Sequence, residues 1–311
     1  MRVLFFGYSQ LGYRTVELLA RRGIEVVGVV THRDDPAEQR WYRTPAEAAL
    51  EHTLPLFFAE ELEQGAAGAG EVADLARGLA PDLVLSVMYR HLLPRAVLEA
   101  ARIAALNLHP SLLPAYRGRA PINWVLVNGE RETGVTLHHM VARADAGDIA
   151  AQRPISIAPR ETALTLYRKV EEEGIGLLEE ALPLIEAGRV PRTPQDESRA
   201  SSYGRRRPED GRIDWGWPAA RVDCLVRAVA PPWPGAFGDV EGRRVMIWQG
   251  RAAEPLAAAA GASEPPPPGS LRAADGRVWI ACADCWFEVE SAAGLPELGA
   301  GRDSSPAPAL P

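Results

Sequence analysis

The chain has 311 residues, a length typical of two domains. Apolar residues make up 47% and charged residues 24%, which is the balance of a globular protein and excludes disorder of the whole chain. The net charge is −7, so the overall field does not attract nucleic acid, and we expect the short basic run 205–207 to be a solvated turn.

The N-terminal segment predicts a strand, a glycine turn, a helix and a second strand. Arg2–Phe6 and Ile24–Thr31 are continuous apolar runs, as is typical of strands buried in a parallel sheet. Between them, apolar residues recur at helical spacing over Leu11–Arg22. This is the opening unit of a doubly wound fold, although its two turn glycines are too loosely spaced for a dinucleotide-binding fingerprint.

Strands and helices continue to alternate as far as Leu108. The predicted strands are 56–57, 82–87 and 104–108, and the predicted helices are 45–52, 71–79 and 94–100. This alternation predicts a parallel sheet that binds ligands at the carboxyl ends of its strands. We therefore predict an α/β fold with a doubly wound, Rossmann-like sheet.

The regular alternation ends after His109, where a stretch rich in proline and glycine begins. Beyond it we predict a helix at 123–128, a strand at 134–141 and a long amphipathic helix at 163–186. His138 and His139 are adjacent in the strand and must face opposite sides. We expect one to be exposed and the other packed, so that they do not bind one metal ion together.

The C-terminal part of the chain predicts a smaller β-rich, OB-like domain. Short β-like pieces at 245–248, 278–282 and 287–289 are separated by glycine and proline turns. We expect the low-complexity stretch 257–270 to be a loop and the tail from Ser291 to be disordered. The predicted domains are therefore 1–200, which carries catalysis, and 204–311.

The three cysteines indicate a reducing, cytoplasmic location rather than a disulfide framework. Cys282 and Cys285 form a C-x-x-C pair without further ligands nearby, so we interpret them as part of a β-hairpin and expect no metal. The apolar run at the N-terminus is short and leads into a turn, which predicts a strand rather than a signal peptide. No apolar run reaches about 18 residues, so we expect no insertion into a membrane.

Three polar residues are expected to meet at one edge of the sheet. Asn107 and His109 lie two residues apart at a strand end and share a face, and Asp145 lies in the loop after the strand 134–141. An amine that attacks a formyl carbon needs a donor for the developing oxyanion and a group that moves a proton. An amide, an imidazole and a carboxylate that raises the histidine pKa would supply both. Taken alone, the pattern also fits a structural strand end and a turn aspartate.

The run from Asn107 to Ile149 resembles the folate-dependent formyltransferases. It contains their N-x-H, SLLP and R-G motifs and their aspartate loop, and the likeness extends over about residues 1 to 250. The resemblance implies 10-formyltetrahydrofolate as co-substrate and no metal. It also implies that Asn107 stabilises the oxyanion, that His109 shuttles the proton, and that Asp145 raises the pKa of His109.

Within this family the chain is most similar to the formyltransferase domain of the bifunctional polymyxin-resistance proteins, which formylates UDP-4-amino-4-deoxy-L-arabinose. The similar segments are YRHLL, YRGRAP, NWVLVNGE, ADAGDIAAQ and PWPGAF, whereas Pro110 replaces a glycine of that domain. The folate contacts that this likeness implies are His91, Leu92, Leu93, Arg119, Val141, Ala142, Arg143 and Ala144. A nucleotide sugar is the implied acceptor, and a separate dehydrogenase or decarboxylase partner and a homo-oligomer are compatible with it.

Three alternatives remain open. A methionyl-tRNA formyltransferase would share the catalytic core, but that family carries a basic loop after the second strand, where this chain has the acidic-to-neutral segment 31–45. Its C-terminal domain is also basic, as phosphate contacts require. Transfer to a different amino sugar is the second alternative, because one or two hydrogen bonds distinguish sugars. A non-catalytic folate-binding protein is the third, and the filled catalytic positions argue against it.

Overall fold

The computed structural model describes residues 1–35, 40–62, 68–253 and 266–295. These residues form a large sheet with helices on both faces and a second, antiparallel sheet towards the C-terminus. The predicted α/β fold class with a smaller β-rich part is confirmed. Where the chain divides into domains, at 1–200 and 204–311, stays a prediction.

Residues 1–203 supply nine strands and seven helices of the described chain. The strands are β1 (Arg2–Gly7), β2 (Glu25–Thr31), β3 (Leu56–Phe58), β4 (Leu83–Val87), β5 (Ala104–His109), β6 (Arg117–Gly118), β7 (Glu132–His139), β8 (Ile149–Ser156) and β9 (Ser202–Tyr203). The helices are α1 (Ser9–Arg21), α2 (Pro45–Glu51), α3 (Ala59–Leu62), α4 (Gly68–Leu79), α5 (Arg95–Leu98), α6 (Pro121–Val127) and α7 (Ala163–Glu186). A short 3₁₀ helix, Glu197–Arg199, precedes β9.

Seven of these strands form the large sheet, in the order β3-β2-β1-β4-β5-β7-β8. The strands β1 to β5 run parallel, as predicted, but β7 is antiparallel to β5 and β8 is antiparallel to β7. The expectation of a parallel sheet is therefore wrong at this edge. The physical reason is that α6, which connects β5 to β7, packs on α7 and α8 (Ala219–Ala228) instead of crossing over the sheet.

The sheet is packed on both faces, and this packing decides where β5 points its side chains. Leu106 and Leu108 lie in the apolar core that α1 and α7 cover. Ala105 packs on the other face, with residues of β1, β4 and α4. Because side chains alternate along a strand, Asn107 and His109 belong to this second face.

The C-terminal sheet consists of five antiparallel strands, in the order β10-β11-β14-β13-β12. They are β10 (Ala236–Val240), β11 (Arg243–Ala252), β12 (Leu271–Ala274), β13 (Arg277–Ala281) and β14 (Trp286–Ala293), and a 3₁₀ helix, Pro208–Gly211, precedes α8. Helix α8 packs on the sheet. The amide of Cys282 donates to the carbonyl of Cys285 (2.9 Å) between β13 and β14, which confirms the predicted hairpin.

The predicted start of the disordered tail at Ser291 is wrong. Strand β14 continues to Ala293, which pairs with Met246 of β11, and Leu295 is fully buried. The extra residues stay ordered because β11 is long enough to hydrogen-bond them. The rest of the tail, and residues 254–265 of the low-complexity region and its flank, lie outside the described residues.

The two sheets are joined through α6 and α8. The amide nitrogen of Asn123 donates to the carbonyl of Ala228 (2.7 Å), and Val127 and Trp233 contact both apolar cores. In the described ranges, none of the helices combines the length and the apolar character that crossing a bilayer requires.

Candidate active site

His109 ends β5 and is buried, with 4% of its surface exposed. Its Nε2 lies 2.8 Å from the carbonyl oxygen of Tyr116. Because a carbonyl only accepts, Nε2 must carry the hydrogen, and the neutral ring then has its lone pair on Nδ1. Nδ1 lies 3.6 Å from Oδ1 of Asp145. Nδ1 is therefore the nitrogen of His109 that can take up or release a proton at this site.

The backbone of Tyr116 is held in the conformation that places its carbonyl against His109. Its φ is 61°, a left-handed value that is unfavourable for a bulky residue. The Tyr116 ring stacks on Tyr203 at a centroid distance of 4.8 Å, and its hydroxyl donates to Glu130 (2.6 Å). These contacts stabilise the strained backbone, as is common where strain serves a site.

Asp145 is the centre of the polar cluster. Its Oδ2 accepts the backbone N–H of Gly118 (2.8 Å), and its Oδ1 accepts the side-chain amide of Asn107 (3.4 Å). Burial raises the pKa of Asp145, but the neighbouring His109 and His138 rings and the hydrogen bond from Gly118 outweigh burial and hold the pKa well below its usual range. Asp145 is therefore an anion at neutral pH.

The pKa of His109 is lowered, and burial is the main cause. Asp145 raises this pKa, as the sequence predicted, but it offsets burial only in part. His109 is therefore neutral at pH 7, so its Nδ1 can act as a base. Once Nδ1 is protonated, the adjacent carboxylate stabilises the cation.

A chain of side chains fixes the loop that carries Asp145. The side chain of Gln195 donates to the carbonyls of Asp145 (2.8 Å) and Gly147 (2.6 Å). Its own oxygen accepts Nη2 of the buried Arg117 (2.6 Å), which also pairs with Glu197 (2.8 Å). The sequence analysis missed Arg117 and Gln195 as site residues, although Arg117 belongs to the R-G motif.

Gly147 allows this loop to close on β7. A Cβ atom at this position would lie 1.9 Å from the carbonyl oxygen of His139. Only glycine can approach the strand so closely. The loop therefore owes its position to a backbone contact as well as to Gln195.

His138 is a further member of the cluster that the sequence analysis missed. It lies directly opposite Asn107 in the β5–β7 register, and its Nε2 is 3.1 Å from Nδ2 of Asn107 and 3.4 Å from Oδ1 of Asp145. The expectation that one of the two adjacent histidines is exposed is wrong. His138 and His139 are 2% and 3% exposed, because α7 and the loop after β7 cover both faces of the sheet here.

The positions implied for folate follow β4, β6 and β7, and those after β7 lie in the loop that carries Asp145. His91 and Leu92 are exposed, Leu93 is half-buried, and Arg119 donates to the carbonyl of Arg90, which ties two of the segments together. In the loop after β7, Val141, Ala142 and Arg143 are exposed, and Ala144 is half-buried. Arg143 forms an ion pair with Glu197.

Two of these positions expose apolar surface to an unusual degree. Leu92 is 70% exposed and Val141 is 46% exposed. Exposed large apolar side chains next to buried polar groups are typical of a binding site for a flat, partly apolar molecule. A separate apolar groove of about 200 Å³ lies between β8 and α7, on the face of β7 away from Asn107.

Two other sequence interpretations concern charge and metal. In the basic run 205–207, Arg206 is half-buried and its guanidinium lies 4.6 Å from the ring centre of Trp124. This arginine is therefore packed against the protein rather than solvated. Among the described side chains, His, Cys, Asp and Glu do not gather in a group of three or more that could hold a metal ion.

Comparison with known protein families assigns both parts of the chain to the formyl transferases. The profile of the family described as formyl transferase matches residues 1–182, and that of the formyl transferase C-terminal domain matches residues 206–294.

Similar folds are found among solved structures. HypX from Aquifex aeolicus, solved with tetrahydrofolic acid, is 24% identical, with a TM-score of 0.62, over 94% of this chain and 44% of HypX. The chain thus spans less than half of that protein. The N-formyltransferase from Helicobacter canadensis, solved with folinic acid and dTDP-3-aminofucose, is 16% identical, with a TM-score of 0.67, over 92% of this chain and 97% of that protein. At these identities the likeness shows the fold.

Proposed function

Because the chain belongs to the formyl transferase family, we propose that it transfers a formyl group from 10-formyltetrahydrofolate to the 4-amino group of a nucleotide-linked amino sugar, UDP-4-amino-4-deoxy-L-arabinose. The observation that carries the proposal is the cluster of Asn107, His109 and Asp145. It places an amide donor at 3.4 Å and a neutral imidazole nitrogen at 3.6 Å from one carboxylate oxygen, Oδ1 of Asp145.

In the proposed reaction, a bond forms between the acceptor amine and the formyl carbon, and the bond from that carbon to the folate nitrogen breaks. The formyl oxygen becomes negative on the way, and the amide of Asn107 stabilises it, an effect worth roughly 3–4 kcal/mol for one good donor. Nδ1 of His109 takes the proton that the amine loses and returns it to the leaving nitrogen. Asp145 stabilises the histidine while it is charged.

The fit of the folate rests on the segments after β4 and after β7. Leu92 and Val141 offer apolar surface for a flat ring, and Arg119 offers a donor fork that suits a carbonyl or an anionic group. We propose the backbone groups of His91 to Leu93 and of Val141 to Ala144 as further folate contacts. HypX and the Helicobacter canadensis enzyme were solved with tetrahydrofolic acid and folinic acid, respectively, which supports this proposal.

The choice of acceptor rests on the likeness to the polymyxin-resistance domain. The Helicobacter canadensis enzyme, solved in complex with dTDP-3-aminofucose, supports a nucleotide sugar in general. We place the reaction in the cytoplasm and assign catalysis to residues 1–200, with 204–311 as the β-rich partner of that domain.

The test is a formyl-transfer assay with 10-formyltetrahydrofolate and three acceptors in parallel. These are UDP-4-amino-4-deoxy-L-arabinose, dTDP-3-aminofucose and methionyl-tRNA. Transfer to the first alone supports the proposal, and transfer to either of the others replaces the acceptor. Transfer to none would keep the enzyme class and point to a different amino sugar.

A variant separates binding from catalysis in the same assay. We expect His109→Ala to bind folate with an affinity near that of the wild type, because the ring contacts the protein rather than the folate segments. Its transfer rate should fall at least ~100-fold, the low end for removal of a general base. A His109→Ala protein that retains wild-type turnover would rule out the proposed proton transfer.

A further inference from the structure

We propose that His138 is a positioning residue that holds the side chain of Asn107 through the lone pair on its Nε2. The inference rests on the proposed function, in which Asn107 supplies the hydrogen bond to the oxyanion. The ring nitrogens of His138 face Asn107, Asp145 and the carbonyl of His139, and only 2% of its surface is exposed. It therefore acts through Asn107 and not on the reacting atoms.

The register of the sheet places the two side chains together. Asn107 and His138 are paired residues of the antiparallel strands β5 and β7, so their side chains leave the same face side by side. The resulting separation of 3.1 Å between Nδ2 of Asn107 and Nε2 of His138 is that of a hydrogen bond. Had β7 been parallel to β5, this pair would not exist.

The direction of the hydrogen bond follows from the other ring nitrogen. Nδ1 of His138 lies 2.9 Å from the carbonyl oxygen of His139, so Nδ1 carries the hydrogen and donates it. In the neutral ring Nε2 then has the lone pair and must accept from the amide of Asn107. The orientation of Asn107 is thereby fixed: one N–H of Nδ2 donates to His138, and the other, held only by the long 3.4 Å contact with Oδ1 of Asp145, is the donor that turns to the oxyanion.

The carbonyl that sets this tautomer is itself locked. Gly147 packs against the carbonyl of His139 so closely that a Cβ would reach to 1.9 Å. The amide of His139 donates to the carbonyl of Asp148 (2.9 Å), which closes the same loop. One backbone contact therefore positions the Asp145 loop and the tautomer of His138 together.

A charged His138 would have the opposite effect. With a hydrogen on both nitrogens, Nε2 could no longer accept from Asn107 and would donate to Oδ1 of Asp145, 3.4 Å away. Asn107 would lose its anchor, and Asp145 would be shared with a second cation besides His109. The proposal therefore requires a neutral His138 in the active enzyme.

Two substitutions of His138 distinguish a residue that holds Asn107 by a hydrogen bond from one that only fills space. His138→Gln keeps an acceptor oxygen near the position of Nε2, whereas His138→Leu keeps the bulk and removes the acceptor. The matched control is His139→Gln on the opposite face of the same strand, where Nε2 of His139 bonds to the carbonyl of Pro191 (2.9 Å).

We expect His138→Leu to lower kcat by about 10- to 100-fold, somewhat less than the loss of an oxyanion donor itself. KM and the dissociation constant for 10-formyltetrahydrofolate should stay within about twofold, because binding segments are untouched. His138→Gln should recover kcat to within about fivefold of the wild type. His139→Gln should likewise keep kcat within about fivefold of the wild type. A folded Leu variant with wild-type kcat, or a Gln variant as slow as Leu, would overturn the proposal.

A measurement without turnover keeps this proposal separate from the proposed function. ¹⁵N NMR of labelled histidine should show His138 as the Nδ1–H tautomer, and the side-chain amide signal of Asn107 should shift in His138→Leu but not in His138→Gln. An Nε2–H tautomer, or an unchanged Asn107 signal in the Leu variant, would refute the positioning role. If no acceptor is formylated but both NMR results hold, the proposed reaction fails and the contact stands.

Discussion

Asp145 and Glu171 are two carboxyl groups in largely buried places, and their surroundings have opposite effects on their charge. Asp145 accepts hydrogen bonds from the backbone of Gly118 and the side chain of Asn107. Glu171, on α7, is 7% exposed, and within the described part of the chain its Oε1 has no hydrogen-bond partner. Burial raises the pKa of both, but only Asp145 has the donors that reverse the effect.

The pKa of Glu171 is raised to about 7 by burial, and the positive charges of Arg14 and Arg168 lower it only in part, while Glu172 raises it further. A carboxyl group that is half protonated near pH 7 costs stability without doing chemistry. The hydrogen-bond donors that Glu171 lacks are present around Asp145, where the proposed reaction needs a fixed anion. The comparison shows that donors, and not depth of burial, decide which acidic residue is ionised.

The largest expected effect is that of Asp145→Asn. We expect the transfer rate to fall at least ~100-fold, because the cation on His109 loses its counter-charge. The free energy of unfolding at pH 7 should fall by about 2 kcal/mol, since the hydrogen bonds to the anion are weakened. Parallel transfer assays and urea unfolding would measure both. The control is Asp148→Asn, which loses only a surface ion pair with Arg192 and should change little.

The matched substitution Glu171→Gln should have the opposite effect on stability. A raised carboxyl pKa means that the folded state binds the proton more tightly, so this contribution is present below about pH 4.5 and is lost as the pH rises towards 7. An amide side chain stays uncharged at every pH, so Glu171→Gln does not suffer this loss of stability. We expect the substitution to increase the free energy of unfolding at pH 8 by up to about 3 kcal/mol.

Unfolding curves of wild type and Glu171→Gln between pH 5 and pH 8 would measure this. The difference between them should grow up to about pH 7 and then level off. Glu179→Gln, on the exposed side of the same helix, should show no such growth. A constant difference over the whole range would contradict the assigned pKa.

A smaller effect is expected from Gly147→Ala, which moves the Asp145 loop without removing a polar atom. The added methyl group must push the loop away from the carbonyl of His139, at a cost of about 1–3 kcal/mol in stability. The transfer rate should fall about tenfold or more. The pH dependence of the free energy of unfolding, which Glu171 causes, should persist. Gly78→Ala in α4, where a Cβ meets nothing within 4 Å, is the control and should stabilise by up to about 1 kcal/mol.

The smallest expected effect is that of pH on the wild-type rate near neutrality. Burial lowers the pKa of His109 from its ordinary value of 6.5, so the base form predominates above that pH and is lost on the acid side. We expect kcat/KM to change less than about twofold between pH 7 and pH 8 and to fall well below pH 6.5. An acid limb centred near pH 7 would indicate that Glu171, and not His109, controls the rate.

The sequence predicted the parallel strands well because they carry their own signal. Continuous apolar runs such as those of β1 and β4 fit little else than a strand buried on both faces. Strand β8 was missed, since it lies at the edge of the sheet and its half-exposed pattern, with Arg153 and Pro154, lacks that signal. The amphipathic repeat of α7 was found with its correct bounds.

Only the part of the candidate site that lies within the sequence motif was predicted. Asn107, His109 and Asp145 were found because two of them share a strand end and the third lies in a recognisable loop. His138 was missed since its role depends on the antiparallel register of β5 and β7, which no local pattern gives. Gln195 lies 78 positions from Arg117, its partner in the brace, so their contact could not be predicted from spacing.

The bracing contacts around Tyr116 also set the order in which the site can form during synthesis. The amide of Tyr116 donates to Oγ of Ser201, 85 positions later, and the amide of Arg119 donates to the carbonyl of Tyr203. When Asp145 has just emerged from the ribosome, the nascent chain therefore still lacks the residues that hold the Asp145 loop and the carbonyl of Tyr116, which faces His109. Such non-local closure is a late step in folding. A fragment ending at residue 182 would contain every proposed catalytic group and none of these braces.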